Sequence, residues 1–262
     1  MEPIQASAQV ADYSAVDAFL EGRHSQPHDL LGHHLGPGGL TITAYRPMAS
    51  SVRAKLGDGT LLDLPHVKGG VWSGTTGAVT QSQDYRLLVN YGDGVEHEQD
   101  DPYRFAPSVG EMDRFLFNEG RHEQLWQVLG AHVHSYPGPL GEVWGVSFAV
   151  WAPTATAVHV VGDFNGWDRI SHPMRLLGPS GIWELFVPGA SEGMNYQFAI
   201  RGQDTIGRLK ADPMAQFAEV APKQASIVYE SHYEWGDDEW MTARRKRDVH
   251  HGPMSIYEVH LG

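Results

Sequence analysis

Residues 145–168, GVSFAVWAPTATAVHVVGDFNGWD, contain two short apolar runs that are separated by a proline turn and followed by a polar loop. Both runs are rich in valine and are too short for typical helices, so they predict two β-strands. The loop after them places Trp167 among polar neighbours. A tryptophan there either packs over the rim of the core or presents a flat face to a ligand, and the local pattern leaves both interpretations open.

The rest of the chain repeats this pattern of short apolar runs and turns. It holds 30 glycines and 16 prolines in 262 residues, which is typical of an all-β protein. Helix signals are few. One is SAVDAFLEG, with Ser14 as its cap. The other begins at Ser108, where Ser-Val-Gly-Glu predicts a capping box completed by Glu111, and Gly120 divides the helical segment that follows into two pieces.

An internal repeat organises the chain. LLGHH at 30–34 returns as VLGAH at 128–132, and YRPMASSV at 45–52 returns as WAPTATAV at 151–158. Three further pairs, each 111 residues apart, are VWSG and IWEL, DYRLLV and NYQFAI, and DPYRF and DPMAQF. Because the matches stay in order along the chain, we interpret it as two copies of one β domain.

The predicted fold is therefore all-β, with two tandem immunoglobulin-like antiparallel β-sandwiches joined by the short helical segment. The predicted boundaries are 1–107 for the first sandwich, 108–228 for the second, and 229–262 for a linker and a further strand. The copies differ in one loop. Between the matching valine and tryptophan the first copy has 20 residues (52 to 72) and the second has 25 (158 to 183). Only the second copy carries DFNGWDR.

The loop and its surroundings supply residue types that suit carbohydrate binding. The face of Trp167 matches the apolar face of a pyranose ring, and the Asn165 amide can bond to its hydroxyls. Lys210 can reach a hydroxyl, although a single lysine near a turn is usually only solvated. Trp183 is the fourth candidate, but its equivalent in the copy without the loop, Trp72, favours a place in the core. Such contacts predict weak affinity, because exposed polar bonds exchange with water.

Composition excludes several other classes of function. The net charge of −13 argues against a nucleic-acid partner. The absence of cysteine excludes disulfides and thiolate sites, and the spacing of the 15 histidines predicts no metal site. No phosphate-binding or dinucleotide-binding motif is present, so no cofactor is expected. No basic signal sequence starts the chain and no apolar run approaches the ~20 residues of a membrane helix. We expect a soluble, cytoplasmic protein that is a monomer.

At this point the motifs resemble a known family. GVSFAVWAPTATAVHVVGDFNGWD, SGIWELFVPG, NYQFAI and KADP are similar to the glycogen-binding type of carbohydrate-binding module in enzymes of the α-amylase superfamily. PHDLLGHH, DPYRF and FLFNEGRHEQLWQVLGAH resemble the N-terminal half of bacterial glycogen branching enzymes. MSIYEVHLG at 254–262 resembles the first strand of the catalytic (β/α)₈ barrel of these enzymes.

The resemblance implies that the parent enzyme cleaves an α-1,4-glucan and transfers the chain to a 6-hydroxyl. It also implies catalytic carboxylates on barrel strands beyond Gly262, so we expect no catalytic residue in residues 1–262. The expected partners are an α-glucan, such as glycogen or an amylose-like chain, and the barrel itself. The resemblance also implies that relatives which bind glycogen well combine the loop tryptophan with a lysine and a second aromatic residue. Here Gln197 stands in place of the lysine, and Leu209 or its neighbours occupy the place of the second aromatic.

Three alternatives remain open from the sequence. In the first alternative the chain is a stand-alone glycogen-targeting module. In the second it is the N-terminal part of a debranching or trehalose-releasing barrel enzyme. A purely structural role is the third, in which both sandwiches only brace the barrel. The additional first copy with its LLGHH motif favours a branching enzyme.

Overall fold

Short antiparallel strands make up most of the computed structural model, which describes residues 13–77, 79, 81, 83–204, 207–248 and 251–261. The first half forms two four-stranded sheets, ordered β1-β2-β6-β5 and β4-β3-β7-β8. Their strands are β1 Gly32–Gly36, β2 Gly39–Tyr45, β3 Ser51–Leu56, β4 Leu61–Leu64, β5 His66–Lys68, β6 Val71–Thr76, β7 Tyr85–Asn90 and β8 His97–Gln99. The buried side chains of both sheets form one apolar cluster between them.

The second half forms a similar pair of sheets. One is ordered β12-β13-β10-β9 and the other β11-β14-β17-β16, with β15 also paired to β14. Their strands are β9 Gly130–Tyr136, β10 Val143–Trp151, β11 Ala157–Gly162, β12 Arg175–Leu176, β13 Ile182–Pro188, β14 Asn195–Arg201, β15 Gly207–Lys210, β16 Phe217–Ala218 and β17 Ser226–Ile227. The all-β prediction is confirmed, because the described residues otherwise contain only three short α-helices.

The three helices are α1 Tyr13–Leu20, α2 Glu111–Asn118 and α3 Asp238–Arg245, none of them long enough to cross a bilayer. Ser14 lies inside the first turn of α1 instead of capping it. The capping box predicted at Ser108 is also wrong: Gly110 caps α2, and Asp113 accepts the Gly110 N–H. Gly120, at φ +65°, follows the end of α2 as predicted.

Equivalent residues of the two copies make the same hydrogen bonds. The Tyr85 hydroxyl donates to Asp101 at 2.5 Å, and 111 positions later the Tyr196 hydroxyl donates to Asp212 at 2.6 Å. Trp72 donates its indole N–H to the carbonyl of Arg46, the residue before a proline. The same bonding scheme in both halves supports the repeat.

A matching pair of indole and histidine bonds completes the scheme. Trp183 donates to the carbonyl of Ala152, the residue before the equivalent proline. His34 and His132 each place Nε2 within hydrogen-bond distance of the carbonyl three residues earlier. The glycine of each motif has a positive φ, +94° at Gly32 and +105° at Gly130, and at Gly32 a Cβ would lie 2.5 Å from the carbonyl oxygen of Tyr103. The place of glycine in these motifs is therefore set by the close approach of the neighbouring backbone as well as by packing.

Apolar packing joins the two halves. The core of the second sandwich, with Phe148 and Trp183, forms one buried cluster with Phe19 of α1 and with Tyr45 and Tyr103 of the first half. Phe19 meets Tyr45 edge to face at 4.9 Å. The Tyr103 hydroxyl is within 3.3 Å of the carbonyl oxygens of Ser171 and Pro173. These contacts hold the first half against the loop region of the second.

A buried ion pair fixes the segment between the sandwiches. Glu184 is fully buried and accepts from Arg175 Nε at 2.8 Å and from the Ser108 hydroxyl at 2.8 Å. Arg175 also donates to the carbonyl of Phe105 at 3.2 Å. The Ser108 hydroxyl therefore donates to Glu184 of β13 instead of capping α2. Because this partner lies 76 positions away, the local sequence pattern predicted the wrong role for Ser108.

Contacts divide the chain after Glu230, where one unit ends and a second begins with Ser231. The second unit contains α3, in which Arg244 lies 5.3 Å from the Trp240 ring centroid. The strand predicted at 254–262 is not formed over residues 254–261, with which no described strand pairs, and its last residue lies outside the described residues. The predicted domain limits at 107 and 228 stay predictions.

We expect the Tyr85→Phe and Tyr196→Phe variants to lose similar amounts of stability, about 2 kcal/mol each. Each change removes the hydroxyl donor from a buried carboxylate and leaves the ring in place. Urea unfolding followed by far-ultraviolet circular dichroism measures the loss. Tyr229→Phe is the control, because its hydroxyl has no hydrogen-bond partner among the described residues. A loss below 0.5 kcal/mol (of the order seen for surface changes) in either variant would contradict the shared bonding scheme.

Acid should destabilise the first unit through its buried histidines. Burial, with a smaller contribution from Arg201, lowers the pKa of His159 from 6.5 to about 4. Above pH 6.5 the imidazole of His159 is neutral in both the folded and the unfolded state. As the pH falls below 6.5 the unfolded state takes up a proton and the folded state does not, so stability is lost.

The free energy of unfolding of a His159→Leu variant should therefore fall about 2 kcal/mol less than that of the wild type between pH 7.5 and 5. Urea unfolding at the two pH values measures this. The variant must be compared with the wild type because Asp101 and Asp212 also respond to pH. Burial raises the pKa of both carboxyls, so their protonation as the pH falls stabilises the folded state, opposite to the effect of His159. Parallel losses in both proteins would show that His159 is not a source of acid sensitivity.

Candidate functional site

The loop that distinguishes the second copy begins where β11 ends at Gly162. Residues 163–165 form one 3-10 turn, after which Gly166 has φ +59° and Trp167 φ +64°. The Trp167 N–H closes the loop by donating to the Gly162 carbonyl at 3.0 Å. A bulky residue in the left-handed region costs on the order of 1–2 kcal/mol, so the contacts around the loop must offset this strain.

Phe164, and not Trp167, is the side chain that anchors the loop in the core. Its ring lies 5.3 Å from Phe148 and 5.7 Å from His172. His172 sits beneath the loop, where burial, followed by the charge of Arg46, lowers its pKa to about 4. The imidazole is therefore neutral at physiological pH. The core-packing role that the sequence left open for Trp167 is carried out by its neighbour.

Trp167 is held at the surface in a defined orientation. Its side chain is 37% exposed, and its ring contacts no other aromatic ring of the described residues. Its indole N–H donates to Asp163 Oδ1 at 3.1 Å. The other oxygen of Asp163 accepts from the backbone and side chain of Asn195 at 2.8 and 2.9 Å. Hydrogen bonds from Asn195 and Trp167 lower the pKa of Asp163. An ionised carboxylate thus ties the indole to the start of β14.

Asn165, predicted as a ligand contact, has its amide engaged within its own loop, and a contact with a ligand stays a prediction. Its Oδ1 accepts the Gly162 N–H at 3.0 Å, and its Nδ2 donates to the carbonyls of Val160 and Asp168 at 3.1 and 3.3 Å. His172 Nδ1 lies 3.0 Å from the same nitrogen. With both amide hydrogens engaged inside the loop, Asn165 builds the site and has no free donor for a glucan.

Trp183, the candidate for which the sequence favoured a place in the core, lies inside the second sandwich. It is fully buried in β13, and its indole N–H is used by the Ala152 carbonyl at 3.0 Å. Its equivalent Trp72 makes the corresponding bond in the first copy. Trp183 therefore belongs to the core and presents no face to a ligand.

Lys210 lies exposed at the end of edge strand β15, opposite Phe198. Phe198 in turn lies opposite Val160 of β11, so Lys210 is two strands, roughly 10 Å, from the strand that leads into the loop. Gln197 stands between them, and its amide donates to the Gln224 carbonyl at 3.1 Å. A role for Lys210 in binding stays a prediction.

Two family models match the chain. Residues 12–103 match the family described as alpha-1,4-glucan branching enzyme GlgB, N-terminal domain. Residues 128–215 match carbohydrate-binding module 48, the isoamylase N-terminal domain, and this range contains all four candidate residues.

Curated relatives agree with both matches. The chain is 50% identical over 247 residues to the 1,4-alpha-glucan branching enzyme GlgB of Thermobifida fusca (strain YX), with 94% of this chain and 33% of the relative covered. In both comparisons the chain is similar to the N-terminal part of glycogen branching enzymes. The branching enzyme of Rhodococcus jostii (strain RHA1) is 47% identical over 259 residues, which cover 99% of this chain and 35% of the relative. The chain thus spans about a third of the length of the curated branching enzymes it matches.

A solved pullulanase type I from Bacillus subtilis str. 168, complexed with maltose, is similar over 75% of this chain and 26% of that chain. The identity is 16% and the TM-score 0.34, a likeness too small to carry an argument about function.

Sequence reasoning named the loop tryptophan but not the groups that orient it. Asp163 was noted only as a polar neighbour, and its bond to Asn195 crosses from β11 to β14, 32 positions away. The spacing of the two residues gave no signal for this pair. A carboxylate in the loop four residues before a tryptophan is consistent with the bond to its indole, but only the geometry identifies it.

Stability measurements should separate Asn165, which builds the loop, from Trp167, which the loop presents at the surface. Asn165→Ala should cost about 2–3 kcal/mol, because it leaves the Gly162 N–H and two carbonyls without their partner. Trp167→Ala should cost less than about 1 kcal/mol, because the lost side chain is partly exposed. Urea unfolding of the two variants beside the wild type measures the difference. The reverse order would mean that Trp167 is the structural residue of the loop.

Proposed function

We propose that the chain is the glucan-positioning and scaffolding region of a glycogen branching enzyme. The parent enzyme would cleave an α-1,4-glucan and transfer the released chain to a 6-hydroxyl, which forms an α-1,6 branch. The catalytic carboxylates would lie on a (β/α)₈ barrel, and the 262 residues of this chain would not catalyse the reaction alone. The match of residues 12–103 to the branching-enzyme N-terminal domain supports branching over debranching or a free targeting module.

One observation carries the proposed glucan contact: an exposed indole kept at a strained backbone position by a fixed carboxylate. Trp167 loses no orientational entropy on binding, because its hydrogen bond to Asp163 already fixes the ring. An aromatic face of this kind stacks on the apolar face of a glucose unit. Backbone strain in a surface residue that no core contact requires is typical of a binding site.

The contact would be weak when isolated. Gln197 stands where well-binding relatives carry a lysine, and its amide is already bonded to Gln224. Leu209 or its neighbours stand where those relatives carry a second aromatic residue. Trp167 would therefore act with few partners, of which Lys210 is one. Weak binding suits a region that guides long chains and releases them.

We further propose that the second sandwich packs against the barrel of the parent enzyme. The exposed ring of Trp151 meets Phe117 of α2 at 5.9 Å, and this aromatic pair is the kind of surface that a neighbouring domain covers. A monomeric, cytoplasmic enzyme is the expected context. A bracing role of this kind is compatible with glucan binding by the loop on the same domain.

Affinity electrophoresis of the 262-residue chain in native gels tests the glucan contact. Glycogen in the gel should retard the wild type, and Trp167→Ala should bind about tenfold more weakly, the value for losing one stacked aromatic face. Trp144→Ala is the matched control, because Trp144 is 61% exposed and lies on β10 outside the loop. Equal retardation of the wild type and Trp167→Ala would refute the loop as the binding site.

A further inference from the structure

A cleft lies between the two halves, on the inner side of the loop that carries Trp167. Its volume is about 360 Å³, which is enough for one or two sugar units. The first half contributes Tyr45, Tyr91 and Gln99 to its walls, and the second contributes Asp168 and Ser171. The cleft therefore exists only where both copies of the domain meet.

The charges of the cleft favour a neutral ligand. Arg46 is the cation among its lining residues, and its guanidinium donates to the Tyr45 carbonyl at 2.7 Å, to Gln99 Oε1 at 3.1 Å and to the Asp100 carbonyl at 3.2 Å. Asp168 and Asp100 line the same space, and Asp100 is paired with Arg104 at 2.8 Å and with Arg86 at 3.2 Å. An anionic ligand would meet Asp168 and arginines that are already engaged, so the cleft offers it no free cation among the described residues.

Tyr45 and Asp168 line this space from opposite halves, and their side chains carry a donor and an acceptor. The Tyr45 hydroxyl makes no hydrogen bond to any described residue, although only 9% of the residue is exposed. Asp168 uses Oδ1 to accept the Ile170 N–H at 3.1 Å, which leaves Oδ2 available. Burial, together with the charge of Asp168, raises the pKa of Tyr45, so its hydroxyl stays protonated and able to donate. Two neighbouring hydroxyls of a sugar ring match one donor and one acceptor.

The mouth of the cleft carries an aromatic ring in a fixed position. Tyr91 is 42% exposed, and its hydroxyl lies 3.0 and 3.3 Å from the two side-chain polar atoms of Gln99. This pair places a partly exposed aromatic ring beside an amide, and these are residue types that suit a pyranose.

We propose that the cleft between the two sandwiches is a second carbohydrate site, which takes a terminal glucose or maltose unit of a neutral α-glucan. The choice of an α-glucan rests on the proposed function. With a second contact on the same chain, the weak site at Trp167 would gain effective concentration, so that both together hold a glucan that neither holds well alone.

Amide chemical shifts during a titration with maltotriose test the cleft separately from the loop. In the wild type we expect the amides of Tyr91, Gln99 and Ser171 to shift, together with that of Gly166 in the loop. In Trp167→Ala the cleft amides should still shift. In the double variant Tyr45→Phe, Asp168→Asn the Gly166 amide should shift as in the wild type, and the cleft affinity should fall at least tenfold.

The outcomes separate the two proposals. Movement of Gly166 without the cleft amides would refute the cleft and leave the loop as the glucan contact. Loss of all shifts in Trp167→Ala would also refute it, since the cleft changes would then only follow binding at the loop. If neither set of amides moves, the proposed glucan contact fails as well. Tyr45→Phe alone keeps the ring packed on Phe19 and serves if the double variant does not fold.

Discussion

The apolar cluster shared by α1 and the second sandwich is the contact on which the rest of the structure depends. Phe19 and Tyr103, from the first half, are buried with Phe148 and Trp183 of the second. Burying large aromatic side chains contributes roughly 1.5–3 kcal/mol each, far more than the polar contacts at the edges of this interface. The two sandwiches are therefore held in one arrangement. The cleft and the inner side of the aromatic loop exist because of that arrangement.

Much of the fold could be predicted, because each element is encoded locally and then repeated. The strands follow runs of valine and aromatic residues between glycine and proline turns, and the repeat identified equivalent tyrosine, tryptophan and histidine positions. The errors occurred where the decisive partner is distant in sequence. Ser108 looks like a helix cap but bonds to Glu184 instead, and the residues resembling a barrel strand have no described strand beside them.

The candidate site was predicted only in part, for a related reason. A tryptophan in a polar loop indicates a surface aromatic, and the position of Trp183 in both copies already favoured the core. Composition cannot tell which polar side chains face a ligand and which hold the loop. Asn165 has the chemistry of a ligand contact, yet its amide satisfies backbone groups of its own loop. The inner cleft carries no sequence signal at all, since its walls come from residues more than 120 positions apart, such as Tyr45 and Asp168.

The duplicated bonding scheme has a consequence for how this protein can change over generations. Tyr85 with Asp101 and Tyr196 with Asp212 stabilise each copy by the same means, so these bonds do not depend on the loop that only one copy possesses. The exposed position of the loop, Trp167, can then accumulate substitutions while the framework stays intact. A lineage can then change the affinity of the ligand contact proposed for this loop, or lose that contact, without having to re-evolve a stable domain.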